Sequence, residues 1–159
     1  MTNPVWTFTN QKELNKSQFI DYFERKVFRT IRKYNLLPKD KIIILKKSTN
    51  LNTIVLKKVI EKKFKVIFSN KPNLSSDNLS QLAEDIFKEV LKGNFKSKIT
   101  KNAPLSQLSD KEIELYAKLS NIKGTKRRQD KKIQELFDRF LKKNQDLELN
   151  VVKATWQLS

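Results

Sequence analysis

Cations on the first predicted helix are spaced so that they share one face. Apolar residues recur at helical spacing from Phe19 to Tyr34, and Pro38 closes the segment, which predicts an amphipathic helix over residues 17–36. The cations roughly opposite its apolar face, at i, i+4, i+7 and i+8, are Arg25, Arg29, Arg32 and Lys33. Arginine suits bidentate phosphate contacts, so we predict that this stripe binds RNA. The alternative is a solvated helix face that includes one acid, Glu24.

A second basic cluster follows Gly124 and enters the first turn of another predicted helix. Its members are Lys126, Arg127, Arg128, Lys131 and Lys132. Cations are unfavourable at the positive end of a helix dipole, so a bound phosphate accounts for them better than the alternative, an exposed basic loop. Lys46 and Lys47, at the end of the first predicted strand, could also face a phosphate as point charges. These two groups complete the set of predicted RNA-binding residues.

The two tryptophans, Trp6 and Trp156, lie near opposite ends of the chain. Each ring could cover a patch of core. Alternatively, each could anchor a terminal arm to a partner, since stacking of a base on an aromatic ring contributes about 1–3 kcal/mol whatever the sequence. Our functional hypothesis for both tryptophans is that they anchor the chain to a partner.

Composition favours a polyanionic partner over catalysis. The 159 residues include 34 Lys and Arg against 17 Asp and Glu, for a formal net charge of +17. An excess of this size opposes compaction unless a polyanion neutralises it, so nucleic acid leads and an acidic membrane surface is second. The chain has no cysteine, no histidine and only two glycines, which argues against thiolate metal sites, the commonest general base and a glycine-rich phosphate loop. We therefore expect no enzyme activity, cofactor or metal, and a cytoplasmic protein without a membrane span.

Strands and helices alternate along the first half of the chain. The all-apolar run 42–45 and the run 65–68 predict strands, and helices are predicted over 52–63 and 77–92. Gly93 is placed to stop the helix over 77–92. A capping box, Ser109 with Glu112, opens a fourth helix that runs through Leu119 and is ended by Gly124, and residues 131–144 carry a fifth. Residues 147–152 alternate between apolar and polar side chains, as a strand or an extended tail would. The fold class is α/β, a small parallel sheet with flanking helices, a helical C-terminal part and extended termini. The predicted divisions are an N-terminal arm (1–16), a reduced α/β domain (17–100), a helical part (101–145) and a C-terminal strand or tail (146–159).

The order of these segments resembles the PP-loop domain of tRNA thiolation proteins. The pattern from Phe19 to Arg29, a basic helix followed by the strand 41–45, is similar to the start of that domain. The segment 65–78 resembles its later strand and Asp-rich loop, and Pro104-Leu105 with Lys111-Glu112-Ile113 and Tyr116 resembles a further motif. The end of the chain, Ile133 to Phe140 followed by Val151 to Thr155, is most similar to cytoplasmic tRNA thiolation subunit two, the non-catalytic partner of the thiolase.

The departures from that family are as informative as the matches. Where the family has its pyrophosphate-binding loop, residues 46–52 read Lys-Lys-Ser-Thr-Asn-Leu-Asn, without the glycines, aspartate and final serine of the motif. Without those glycines the backbone cannot wrap a phosphate in the same way. The catalytic and zinc-binding cysteines have no counterpart, and the long middle segment of relatives is missing between Lys63 and Phe64. The resemblance therefore implies a shrunken, nucleotide-blind relative, and no active-site role passes to any residue.

Two functions fit these observations. The first is a non-catalytic RNA-binding factor of the translation machinery, bound to the ribosome at a site that accepts tRNA, as a silencing or dormancy factor is. The second is a structural, tRNA-binding subunit of a wobble-uridine tRNA thiolation complex, working beside a thiolase-type catalytic subunit. Both have RNA, either rRNA or tRNA, as the partner.

Overall fold

A computed structural model describes residues 3–93, 102–142 and 146–158 of the chain. Its elements are β1 (Trp6–Thr7), β2 (Glu13–Leu14), α1 (Lys16–Lys33), β3 (Ile42–Leu45), α2 (Leu51–Ile60), β4 (Lys65–Phe68), α3 (Leu79–Leu91), α4 (Asp110–Leu119), α5 (Lys131–Leu141) and α6 (Leu147–Leu158). None of the helices in this part of the chain has the length and apolar character needed to cross a membrane.

The two strands predicted from apolar runs form a parallel pair. β3 pairs with β4 in the register Ile42 with Lys65 through Leu45 with Phe68, with α2 connecting them, as the α/β prediction requires. The other edge of β3 is bonded by Asn73, whose backbone N–H donates to the Ile44 carbonyl at 3.0 Å. The Asn73 amide accepts from Ile44 N–H at 2.8 Å and donates to the Ile42 carbonyl at 3.1 Å. A loop side chain thus stands where a third strand would lie.

Two groups of buried apolar residues hold the helices. The first, called here the α/β cluster, joins β3, α1, α2 and α4, and within it the rings of Phe23 and Tyr116 stack at 4.2 Å. The second, called here the helical cluster, brings together residues of α3, α5 and α6 and one residue, Ala103, of the loop before α4. Its buried members are Leu79, Leu82, Ala83, Ile86, Ala103, Ile133, Phe137 and Val152. α3, which the sequence grouped with the α/β part, packs instead with the C-terminal helices.

The prediction of an extended N-terminal arm is wrong for residues 5–14. This segment is a hairpin in which β1 pairs antiparallel with β2, and Leu14 belongs to the α/β cluster. The Trp6 ring lies 5.5 Å from the ring of Phe19, centroid to centroid. Trp6 therefore covers core, and its role as the anchor of a free arm does not hold. Burial of aromatic surface against α1 offsets the entropy that ordering the segment costs.

The C-terminal segment is a helix, so the prediction of a strand or extended tail there is also wrong. In α6, Glu148 and Val152 lie four residues apart and are both buried against neighbouring elements, which matches one face of a helix. The alternation of residues 147–152 suggested a strand, but six residues are too few to distinguish a strand from one face of a helix. The Trp156 side chain, the second predicted anchor, lies outside the described residues.

Two local start and stop signals are confirmed. Ser109 and Glu112 make both hydrogen bonds of the predicted capping box at the start of α4. α3 ends before Gly93, which has φ of +78°, the left-handed conformation that glycine adopts readily at this position.

Candidate nucleic-acid interface

Lysines line a groove of about 530 Å³ between α4 and the segment that follows it. The lining of this lysine groove includes Lys111, Lys118, Lys123 and Lys126, with Leu115 and Ile122 among its apolar residues. One acid, Glu114, also lines it and pairs with Lys126 at 3.6 Å. All four lysines are exposed. A lysine presents a point charge on a flexible stem, which suits a phosphodiester backbone without fixing a base sequence.

Helix α4 positions half of this groove by its periodicity. Lys111 and Lys118 are seven residues apart and share the outer face, while Ile113 and Tyr116 are buried on the inner face. Of the groove residues, sequence reasoning singled out only Lys126. The signal for the others was present: an i, i+7 pair of lysines on a helix whose start the capping box fixes.

The groove adjoins the start of α2. The backbone N–H groups at this helix end already donate to other groups of the same chain. The Leu51 N–H at the start of α2 donates to the Thr125 carbonyl at 2.7 Å, and the Thr125 N–H donates to the Thr49 carbonyl at 2.9 Å. The next N–H, of Asn52, donates to the Asn50 side chain at 2.9 Å. A helix N-terminus after the first parallel strand is a ready anion site, but here Thr125 and Asn50 have taken its leading donors.

Gly124 permits this close approach. A Cβ at position 124 would lie 2.9 Å from Ile54 Cδ1 and 3.0 Å from Leu51 Cα. Because one of those neighbours is backbone, the segment could not keep its place with a larger residue. Gly124 therefore works as a contact point on α2, whereas the sequence suggested a helix stop: α4 already ends at Leu119.

The predicted stripe on α1 is exposed, as its spacing required. Arg25, Arg29, Arg32 and Lys33 are all exposed. Arg25 pairs with Asp21 at 3.0 Å, and the Lys33 ammonium lies 5.4 Å from the centre of the Tyr34 ring. Among the residues that the structure describes, Arg29 and Arg32 form no ion pair. Contact of this stripe with RNA stays a prediction.

Arg127 is not available to RNA, which corrects its assignment. Its side chain is 5% exposed and pairs with Asp110 at 2.7 Å and with Glu84 at 2.9 Å. Burial lowers the pKa of Arg127, but the hydrogen bonds and charges of Asp110 and Glu84 outweigh it, so the pKa is raised. The guanidinium is therefore a permanent internal cation that neutralises two acids.

Arg127 belongs to a polar layer that lies between the two apolar clusters, called here the polar seam. The Asn78 amide donates to Asp110 at 2.8 Å, the Asp110 N–H donates to Ser80 Oγ at 3.0 Å, and the Ser80 hydroxyl donates to Glu148 at 2.6 Å. These bonds link α3, α4 and α6. A basic tripeptide in the sequence thus contains one structural residue flanked by two exposed ones, Lys126 and Arg128.

The start of α5 carries its own anion, so the argument for a phosphate there does not hold. The Asp130 carboxylate accepts from the N–H groups of Lys132 at 3.0 Å and Ile133 at 3.2 Å. This is a helix cap that offsets the basic first turn. Lys131 and Lys132 are exposed, as are Lys46 and Lys47 after β3, and these four remain candidate contacts as solvated charges only.

Cofactor chemistry has few ligands to draw on. The chain contains no cysteine and no histidine. Within residues 3–93, 102–142 and 146–158, no three acidic side chains are grouped as a metal site requires.

The element order, the parallel β3–β4 pair and the flanking helices define an α/β fold of the PP-loop or Rossmann-like class. The chain is similar to the solved structure of the U34-tRNA thiolase NcsA from Methanococcus maripaludis with its [4Fe-4S] cluster. The TM-score is 0.75 at 13% sequence identity, covering 98% of this chain and 84% of that one. No protein-family profile and no curated protein sequence matches the chain. That thiolase contains a [4Fe-4S] cluster, and such clusters are held by cysteine thiolates. This chain has no cysteine, so its residues do not fit a cluster.

Proposed function

We propose that this chain is a non-catalytic tRNA-binding protein. The observation that carries the proposal is the junction of α2 with residues 124–125. There the chain's own carbonyl occupies the helix N-terminus, while four lysines line the groove beside it. Anion binding at this end of the sheet thus falls to side chains, which suit a polyanion, rather than to a backbone cradle, which suits a single nucleotide phosphate.

The identity of the polyanion follows from charge and fold together. A net charge of +17 with exposed arginines on α1 and lysines on α4 provides two cationic surfaces. The structurally similar protein is a U34-tRNA thiolase. A fold shared with a tRNA enzyme, combined with a strongly cationic exterior, favours tRNA over an acidic membrane.

The absence of catalysis is part of the proposal. With neither cysteine nor histidine in the chain, sulfur carriage and cluster ligation lack their usual groups. We expect no magnesium-dependent ATP binding in the micromolar range by calorimetry. A measured site of that affinity would contradict the non-catalytic assignment, because the closed α2 start would then have to open.

Two settings would use such a protein. One is a tRNA thiolation complex, in which the chain holds tRNA for a cysteine-bearing catalytic subunit; the similarity to a tRNA thiolase favours this setting. The other is the ribosome, where the chain would occupy a site that accepts tRNA. Copurification of the native protein on a sucrose gradient at low and high salt separates the two settings. A thiolase homologue is expected in the first case and ribosomal subunits in the second.

The test of tRNA binding is a charge reversal with a matched control. Lys111→Glu, Lys118→Glu and Lys123→Glu together reverse the groove. Lys12→Glu, Lys39→Glu and Lys58→Glu give the same net charge at exposed positions outside it. The groove variant should weaken tRNA binding and reduce the log–log salt slope by about 0.7–0.9 for each phosphate that it no longer neutralises. Equal weakening in the two variants would mean that only net charge matters, and the groove assignment would fail.

A further inference from the structure

A cavity of about 450 Å³ opens between the N-terminal hairpin, α1 and the starts of α3, α4 and α6. Its walls include the rings of Trp6, Phe8 and Tyr22. The rings of Phe8 and Tyr22 meet edge to face at 5.1 Å. A cavity of this size with aromatic walls and a few polar groups is typical of a site for a small planar ligand.

The charge of this cavity is opposite to that of the chain. Two lysines, Lys26 and Lys111, line it. The carboxylates that line it are Asp110, Glu112, Glu114, Asp146 and Glu148. Glu112 accepts from the Tyr22 hydroxyl at 2.6 Å, and burial together with that carboxylate raises the pKa of Tyr22, so Tyr22 remains a donor. Since an ionised carboxylate has about four acceptor positions, the lining favours a ligand that brings N–H donors.

The lining also contains donors that lack an acceptor. The indole nitrogen of Trp6 and the amide nitrogen of Gln107 are buried and have no hydrogen-bond partner among the described residues. Both residues line the cavity. A buried donor left without a partner is costly, so a small shift of either side chain toward a ligand oxygen in the cavity would remove that cost.

The cavity adjoins the lysine groove. Lys111 and Glu114 line both. A nucleotide at this boundary could therefore place its phosphate among the lysines and its base among the rings and carboxylates. The acidic lining would repel the phosphate and admit only the neutral base.

We propose that this cavity holds the base of an unpaired guanine nucleotide whose backbone lies in the lysine groove. The inference rests on the proposed RNA-binding function and names the nucleotide that the site selects. Guanine has two adjacent N–H donors, N1 and N2, beside the carbonyl acceptor O6. The carboxylates accept hydrogen bonds from N1 and N2 of the guanine, and an unpaired N–H of the lining donates to O6. The aromatic walls stack on the guanine ring. An organic cation would meet the carboxylates but leave the unpaired donors unsatisfied.

The experiment compares the four nucleoside monophosphates, which carry equal charge. Binding is followed by the fluorescence of Trp6 in full-length protein carrying Trp156→Phe, so that one tryptophan reports. GMP should bind about fivefold or more tightly than AMP, as expected for a good bidentate base contact. Glu112→Gln and Glu148→Gln each replace one acceptor oxygen by an amide nitrogen and should remove the preference for GMP. Glu135→Gln, an exposed amide substitution outside the cavity, should leave that preference in place.

The outcomes separate this inference from the function on which it rests. Equal affinity for GMP and AMP, with tRNA still bound in the groove, overturns the guanine site and leaves the proposed function standing. A preference for GMP that survives the carboxylate substitutions also overturns the guanine site. If one of the two variants folds poorly, the other variant still decides the question. A GMP preference without tRNA binding supports the cavity and refutes the proposed function.

Discussion

The α/β cluster and the helical cluster hold their helices in the same way but meet through a different kind of contact. Each is internally apolar: aromatic stacking such as Phe23 on Tyr116 in the first, and Phe87 against Phe137 at 5.5 Å in the second. Between them lies the polar seam, where Arg127 bridges Glu84 of α3 and Asp110 of α4. Apolar packing tolerates many substitutions of similar volume, whereas a buried ion pair requires both partners. The junction is therefore expected to be the most mutation-sensitive part of the molecule.

Removing the seam arginine should have the largest effect. Arg127→Met removes the buried cation that Asp110 and Glu84 share and leaves Glu84 only the partly exposed Lys88, at 3.1 Å, which should cost about 3–5 kcal/mol in the free energy of unfolding. Urea denaturation followed by circular dichroism measures it. The neighbouring control, Arg128→Met, changes an exposed side chain and should stay within about 0.5 kcal/mol. If the two variants were equally stable, Arg127 would not be a structural residue and its role in RNA binding would reopen.

Truncation within either cluster tests whether they unfold as one unit. Leu82→Ala in α3 and Leu56→Ala in α2 each remove buried methyl groups and should cost about 2–5 kcal/mol. Hydrogen exchange should then distinguish the regions, because the seam limits how far the damage spreads. Leu82→Ala should speed exchange in α5 and α6 more than in α1. A uniform increase over all helices would show that the seam couples the clusters fully.

The two glycines provide a smaller and sharper comparison. Gly124→Ala forces a Cβ against Leu51 and Ile54, for an expected loss of about 1–3 kcal/mol. Gly93→Ala meets nothing within 4 Å but keeps a positive φ, for an expected loss of about 1 kcal/mol. Thermal melts rank the pair. The reverse order would mean that residues 124–125 separate from α2 at little cost.

The smallest effect concerns pH and one seam acid. Burial raises the pKa of Glu148 above its ordinary value of 4.5, although the Ser80 hydroxyl opposes the shift. The folded state therefore holds this proton to higher pH than the unfolded chain does, so the contribution of Glu148 to stability is largest below that value and falls as pH rises. Relative to wild type, Glu148→Gln should gain stability as pH rises from 4.5 toward neutrality. Urea midpoints across that range check the sign, and a difference that is flat with pH contradicts it.

Local signals in the sequence predicted local structure well. The apolar runs gave β3 and β4 with parallel pairing, the Ser109–Glu112 spacing gave the start of α4, and Gly93 gave the end of α3. Each depends on residues close in sequence. The hairpin of residues 5–14 and the helix α6 were missed because their apolar residues are few and acquire a pattern only when they pack against α1 or α3.

The candidate site was less predictable because the sequence does not show which charged side chains are buried and which are exposed. Lys126, Arg127 and Arg128 are equivalent as a basic tripeptide, yet the middle one is buried by acids 43 and 17 residues away. The groove lysines of α4 could have been found from helical periodicity, but only after the helix register was fixed. The unpaired donors of Trp6 and Gln107 leave no sequence signal, since they result from tertiary packing alone.

The closure of α2 by Gly124 and Thr125 also bears on protein engineering. Replacing residues 46–52 with a glycine-rich loop would supply the covalent parts of a phosphate cradle, yet the Thr125 carbonyl would still compete for the Leu51 N–H. Engineering nucleotide binding at this position would therefore require a second change far downstream in the chain, at residues 124–125. Two distant stretches of chain would have to be altered together, and either alteration alone would be silent in a binding assay.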